Sequence, residues 1–238
     1  MSEHDLRTRI RPLPADTPDE VFVPFVDLAF NWSMDKPTIP RAELVDRPDA
    51  RAYFSDWGRR GDLAVACYDE AGEEIVGLAW LRYADPAAIP GDEEAPADAT
   101  FIAGLEPHST VIASSVVDDD SEDGGAIAEV VEDESGQADF VAEVGDEAGE
   151  EATAPFAGYG WVAADIPELS IAVLPAYQGQ GIGGALLDVL LTLARLSRVR
   201  AVSLAVEDGN GAAHLYRSRG FAPVGRSGDS DLLVRQLG

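Results

Sequence analysis

Apolar residues fall into two spacings along the chain. Short runs rich in branched and aromatic residues, bounded by turn formers, occur at 7–12, 62–68, 74–83, 168–174, 200–206, 221–224 and 231–236, and each predicts a strand. The link DEAGEE between 68 and 75 predicts a hairpin turn. Helical spacing appears where Val21, Phe22, Phe25, Val26, Leu28, Ala29 and Phe30 form a broad apolar face. Asp16 or Thr17 is placed to cap that helix, with Pro18 at an early helical position. A second helical region spans 41–57. A third, 181–196, puts Ile182, Leu186, Val189, Leu190 and Leu193 on one face. A short helix over 210–219 completes an α/β (α+β) pattern of about seven strands and four helices.

Between the third and fourth strands the pattern stops. From about 85 to 155 Gly, Asp, Glu, Ala and Ser dominate, and such a stretch buries too little apolar surface to offset its ordering entropy. The reading is a single domain, 1–238, interrupted by an acidic, largely flexible insertion. Within it, 101–112 and 126–131 carry enough branched residues for a short hairpin. Two roles stay open: a solvating or interaction segment, and a tolerated surface-loop insertion.

Charge sharpens this picture. The net charge is −27, yet residues 85–154 hold 21 Asp and Glu and no Lys or Arg, so the rest of the chain nets only −6. Such an excess repels phosphates and argues against nucleic acid or an anionic membrane as partner. Lys36 is the only lysine beside sixteen arginines. An acidic, lysine-poor chain suits a halophilic, high-salt cytoplasm. No stretch of about 18 apolar residues occurs, and the N-terminus has no apolar signal region, so a cytoplasmic protein is expected. Cys67, the single cysteine, lies in an apolar run and reads as core. His4, His108 and His214 show no metal-ligand spacing, so no metal is expected.

The chemistry is concentrated in Gln178-Gly179-Gln180-Gly181-Ile182-Gly183-Gly184, which joins a strand to a helix. Its glycines let the backbone turn sharply and approach a ligand. The helix N-terminus beyond supplies free N–H groups and a positive dipole end, an arrangement suited to phosphate. Gly179-x-Gly181-x-x-Gly184 also satisfies a dinucleotide fingerprint, with Glu207 as a ribose-binding acid. Against that reading, Pro175 to Gln178 separate strand and first glycine, and about 30 residues follow Glu207, too few for further β–α units. A P-loop and a nucleophile elbow are absent.

These residues resemble the GNAT superfamily of N-acetyltransferases. Gln178-x-x-Gly181-x-Gly183 matches its [Arg/Gln]-x-x-Gly-x-[Gly/Ala] signature. Asn210-Gly-Ala-Ala-His-Leu-Tyr216, followed by Gly220-Phe221, is similar to its N-x-A-A-x-L-Y…G-F element. The resemblance is strong over 168–224, extends to 7–83 by order of elements, and leaves the acidic stretch outside. It implies a mixed, mostly antiparallel twisted sheet of six or seven strands, and acetyl-CoA as co-substrate. Amides of Gln180, Gly181, Ile182, Gly183 and Gly184 would hold the pyrophosphate, with Gln178 and Gly179 in the same loop. The main chain of Ile171, Ala172 and Val173 would pair with the pantetheine arm where two strands splay apart. Asn210 would bond near the pantetheine, and Tyr216 would point at the CoA sulfur. Gln178 stands where many members carry Arg, which removes a cation and keeps the amides.

The resemblance also implies an acyltransferase in which a neutral amine attacks the thioester directly, so a base must take a proton. Glu168 is the candidate, against a plain strand-start carboxylate. Val173 N–H is a candidate oxyanion donor, and Tyr216 the acid that protonates the CoA thiolate, against a packing aromatic. Trp32, Tyr53, Trp57, Tyr159 and Trp161 line either an acceptor pocket or the core. Asp165 and Glu168 would favour a cationic acceptor by field. The partner expected is a small-molecule or peptide amine; a homodimer is an open option. The alternatives are a non-catalytic acyl-CoA-binding regulatory module and an interaction protein acting through the insertion.

Overall fold

In the computed structural model, residues 3–33, 35–89 and 158–238 are described. Seven strands form one sheet in the order β1-β2-β3-β4-β5-β7-β6. They are β1 (Ile10–Pro12), β2 (Leu63–Tyr68), β3 (Ile75–Arg82), β4 (Glu168–Val173), β5 (Ala201–Glu207), β6 (Ala222–Ser227) and β7 (Ser230–Gln236). Every neighbouring pair is antiparallel except β4 and β5, which run parallel. The mixed, mostly antiparallel sheet expected from the sequence is thus observed. Six helices flank it among the described residues: α1 (Glu3–Thr8), α2 (Val23–Phe30), α3 (Arg41–Leu44), α4 (Pro48–Arg51), α5 (Ile182–Leu196) and α6 (Ala212–Ser218).

Both faces of the central strands are covered, which explains why β2 and β3 read as nearly continuous apolar runs. On one face Val65, Cys67, Ala79 and Leu81 pack under α5, through Leu186, Leu187, Leu190 and Leu191. On the other, Ala64, Ala66, Leu78 and Trp80 meet Phe22, Phe25, Val26 and Leu44. Cys67 is buried, as its apolar context indicated.

Three local readings change. The run 7–12 is a strand only from Ile10; residues 3–8 form α1, because Leu6 turns into the core against α5 and a polar stretch carries no strand period of its own. The region 41–57 is two single-turn helices, not one. Pro48 lacks an N–H and disfavours helical backbone at the residue before it, and Arg47 sits at ψ 129. On α5, Ile182, Leu186 and Leu190 are buried as expected, while Val189 and Leu193 lie on the flank and Leu187 and Leu191 complete the buried face. The predicted hairpin of 101–112 and 126–131 lies outside the described residues.

Two side chains of β3 hold the stretch after α4 in place. Trp80 Nε1 donates to the Tyr53 carbonyl at 3.0 Å. The buried Arg82 guanidinium donates to the carbonyls of Ala52, Ser55 and Asp56 at 3.3, 2.6 and 3.0 Å, and pairs with the buried Asp62 at 3.4 Å. A buried charge persists only when paired and hydrogen-bonded, so Arg82 fixes the loop that carries Tyr53.

Candidate functional site

Strands β4 and β5 pair at a single register position, Glu168 with Ser203. Past it they diverge: β4 stays paired with β3 to Val173, and β5 stays paired with β7 to Glu207. The divergence leaves a groove of about 1040 Å³. Its lining includes Glu168, Ile171, Ala172, Val173, Gln178, Gly179, Gly181, Ile182, Gly183, Asn210 and Tyr216. One groove therefore gathers residues spread over 49 positions of sequence, from 168 to 216. Gln180 and Gly184 do not line it.

The glycine loop follows a single 3₁₀ turn, Pro175–Tyr177. Gly179 and Gly181 have φ of +73° and +83°, in the left-handed region that glycine enters without strain. Gly181 is the N-cap of the 15-residue α5, so the N–H groups of the first turn have no helical partner. A Cβ on Gly179 would meet nothing within 4 Å, which marks open space beside the loop. Gly184 has a packing role: a Cβ there would lie 2.6 Å from Arg219 Nη2. Gln178 does not extend toward an anion; its Nε2 donates to the Val173 carbonyl at 2.9 Å and ties the loop to the end of β4.

Glu168 sits at the narrow end of the splay. Its Oε1 accepts from Tyr53 Oη–H at 3.0 Å and from Gly160 N–H at 2.7 Å. Burial pushes the carboxyl pKa up to about 7, against the smaller opposing effect of these two bonds. Tyr53 Oη in turn accepts from Tyr159 N–H at 2.8 Å. Tyr159 Oη donates to Asp49 Oδ2 at 2.8 Å, and Arg47 holds Asp49 at 2.7 Å.

Tyr216 is buried on α6, with its ring edge-on to Phe221 at 5.9 Å. Desolvation pushes its phenol up to about 12, and among the described residues its hydroxyl has no hydrogen-bond partner. Asn210 Oδ1 accepts from Ala212 N–H at 2.9 Å, so its carbonyl oxygen opens α6 and its amide nitrogen is left for the groove. His214, on the same helix, is exposed.

Of the five aromatics singled out from sequence, Trp32, Tyr53 and Tyr159 line the groove. Trp57 packs on Phe22 at 4.3 Å, and Trp161 is exposed outside it. Asp165 is not a groove residue; it pairs with Arg200. The far wall carries charges that the sequence did not flag as a group. Lys36 bridges Glu207 and Asp229, and Trp32 Nε1 donates to Glu207 at 3.1 Å. Glu207 is thus held by its neighbours, not presented to a ribose. Gly160 was also missed; a backbone donor leaves no mark in side-chain chemistry. No group of three or more His, Cys, Asp or Glu suited to a metal occurs among the described residues. No helix there is long and apolar enough to cross a membrane.

Residues 130–223 match the model of the acetyltransferase (GNAT) domain. The match begins inside the acidic stretch that the sequence reading left outside the family pattern. No curated protein matches. Among solved structures, the chain is similar to a GNAT-family acetyltransferase from Staphylococcus aureus Mu50, with 13% identity, 96% of this chain and 99% of that one covered, and a TM-score of 0.49. It is similar to a GNAT superfamily phosphinothricin acetyltransferase from Sinorhizobium meliloti in complex with AcCoA, with 16% identity, 96% and 88% covered, and a TM-score of 0.48. It is also similar to a ribosomal-protein-alanine N-acetyltransferase from Brucella melitensis, with 16% identity, 95% and 97% covered, and a TM-score of 0.46. The family match spans 94 of the 238 residues and takes in β4, α5, β5 and α6, the elements that form the groove.

Proposed function

We propose that the chain is an N-acetyltransferase that moves the acetyl group of acetyl-CoA to an amine by direct attack. The observation that carries this reading is the groove: a strand splay with unpaired main chain, an α-helix N-terminus and two titratable side chains opening into one space. The fit to acetyl-CoA rests on the open space at Gly179, the left-handed Gly181 cap and the single β4–β5 pairing. Amides from Gln180 to Gly184 would take the pyrophosphate, with Gln178 and Gly179 shaping the turn. The main chain of Ile171, Ala172 and Val173 would pair with the pantetheine amides, and the Asn210 amide would donate beside them. We read 1–238 as one such domain, interrupted at about 85–155.

The incoming ammonium loses a proton to Glu168, directly or through water, and its nitrogen lone pair attacks the thioester carbonyl. A carboxylate near pH 7 is a far better match to that task than one at its ordinary value of 4.5. Val173 N–H donates to the carbonyl oxygen as it becomes an oxyanion. As the C–S bond breaks, the attacking nitrogen gives its remaining surplus proton to water, which later restores the Tyr216 phenol, and the CoA thiolate leaves toward Tyr216. A phenol at about 12 holds its proton tightly. It therefore stabilises the thiolate first by a hydrogen bond, and the proton moves across as the thiolate loses its own hydration. The acceptor is a small-molecule or peptide amine. Asp165 adds little negative field because Arg200 pairs with it, which leaves Glu168 and the one net negative charge of the Lys36–Glu207–Asp229 triad to attract a cationic one.

The test is release of free CoA thiol from acetyl-CoA over a broad amine panel. Turnover with at least one amine class supports the reading. Tight CoA binding with no turnover assigns the groove to a non-catalytic acyl-CoA-binding module instead.

A further inference from the structure

Glu168 receives two donors, and both go to the same oxygen. Tyr53 Oη–H and Gly160 N–H converge on Oε1, while Oε2 accepts no hydrogen bond among the described residues. The two donors come from opposite sides of the chain's long acidic stretch, Tyr53 before it and Gly160 after it. Each is itself fixed. Trp80 and Arg82 hold the loop of Tyr53, and Tyr159 N–H donates to the Tyr53 hydroxyl, which orients its proton toward Glu168. Gly160 has no room for a side chain: a Cβ would lie 2.6 Å from the Ala205 nitrogen and the Leu204 carbonyl carbon of β5. At Gly158, with φ +122°, a Cβ would lie 2.1 Å from Glu168 Oε2, so any side chain there would collide with that oxygen.

We propose that Tyr53 is a positioning residue for the transfer reaction: with the Gly160 amide it fixes Oε1 of Glu168 and leaves Oε2 as the atom that takes the acceptor's proton. This rests on the reading of Glu168 as the general base. The other groups near the carboxylate are already engaged. From β3, Arg82 is bound to Asp62 and three carbonyls. From the 158–161 segment, Tyr159 is bound to Asp49, which Arg47 holds. From α2, Asp27 is paired with Arg41. From β5, Ser203 Oγ donates to the Pro167 carbonyl at 3.4 Å. Across the groove, Lys36 is held by Glu207 and Asp229, and Tyr216 is neutral. Tyr53 is therefore the side chain whose loss alters the carboxylate most.

The experiment is Tyr53→Phe, which keeps the ring and its packing on Phe30 and Tyr159. A donor that favours the carboxylate is removed, so the ascending limb of the kcat/KM–pH profile moves up by about one pH unit. The KM for acetyl-CoA stays unchanged. A ¹³C-carboxyl titration of Glu168 in the same variant follows the same shift without relying on turnover. A lower melting temperature with an unmoved limb and an unmoved carboxyl titration overturns the proposal and leaves Tyr53 a packing residue. Should the variant fail to fold, the unmodified chain still decides. The Tyr53 ¹³Cζ resonance must titrate with the midpoint of the Glu168 carboxyl, and an independent midpoint overturns the proposal. Glu168→Gln separates the two ideas: if it retains the wild-type rate and limb, the general-base reading fails, whatever Tyr53 does.

Discussion

Glu168 pairs with Ser203 across the parallel strands β4 and β5, and beyond that pair the two strands part. The base candidate therefore stands at the apex of the splay, and the glycine loop lies past the far end of the same strand. One strand sets the spacing between the proposed anion-binding end and the proposed proton-accepting end.

That arrangement separates two glycines of the loop. Gly181 caps α5 at φ +83°, where an L-residue costs about 1–2 kcal/mol. Gly181→Ala should lower the urea midpoint accordingly and raise the KM for acetyl-CoA several-fold. Gly184→Ala meets the Arg219 guanidinium, the end of a long side chain that pairs with Asp188, and keeps its backbone amide. Its KM should be unchanged; steady-state kinetics on the two variants makes the comparison.

Glu168 also links activity to stability. Its folded pKa of about 7 lies above its ordinary 4.5, so the folded chain binds the extra proton between these values. The resulting stability is fully present below 4.5 and is lost as pH rises through about 7. Glu168→Gln cannot ionise. The melting temperature of the variant minus that of the wild type should therefore grow from pH 4.5 to 7 and level off above. A difference that stays flat across this range would show a carboxyl with no perturbation.

Tyr216 gives the opposite pattern. Its hydroxyl makes no hydrogen bond to the described residues, so Tyr216→Phe loses no partner and should leave the denaturation midpoint within about 0.5 kcal/mol of wild type. If the phenol serves the leaving thiolate, kcat falls about 10²-fold with acetyl-CoA binding unchanged. Rapid-quench kinetics beside a binding isotherm distinguishes this from a packing role, in which neither quantity moves.

Arg82 is the structural counterpart. Removing its guanidinium would orphan the carbonyls of Ala52, Ser55 and Asp56 and leave Asp62 buried without its partner. Arg82→Met should cost about 3–5 kcal/mol, read as a lowered urea midpoint. It should also reduce kcat, because the loop of Tyr53 loses its anchor.

Much of this was legible in the sequence. Apolar runs bounded by turn formers located the strands of the sheet among the described residues, β1 only from Ile10, and the 3.6 period located α5, because burial on defined faces dictates residue type. The loop was legible because glycines at 179 and 181 answer a backbone need that other residues meet poorly. The split of 41–57 was also written there, in Pro48. What could not be read were relations set by tertiary contact. Tyr53 and Glu168 are 115 positions apart, and Gly160 contributes only a peptide N–H. Asp165 carries no sequence mark of its partner: Arg200, 35 positions on, neutralises it only in the folded chain. The buried face of α5 is shifted toward Leu187 and Leu191, which lie beside Leu186 and Leu190 on the helical wheel; sequence spacing alone did not say which flank meets the sheet.

The most direct test is single-turnover transfer from acetyl-CoA to a productive amine, measured for the wild type and Glu168→Gln at pH 8 with acetyl-CoA saturating. The account predicts one free thiol per acetylated amine in both. It also predicts a rate at least about 10²-fold lower in the variant, with the same acetyl-CoA affinity. Equal rates in the two chains would contradict it.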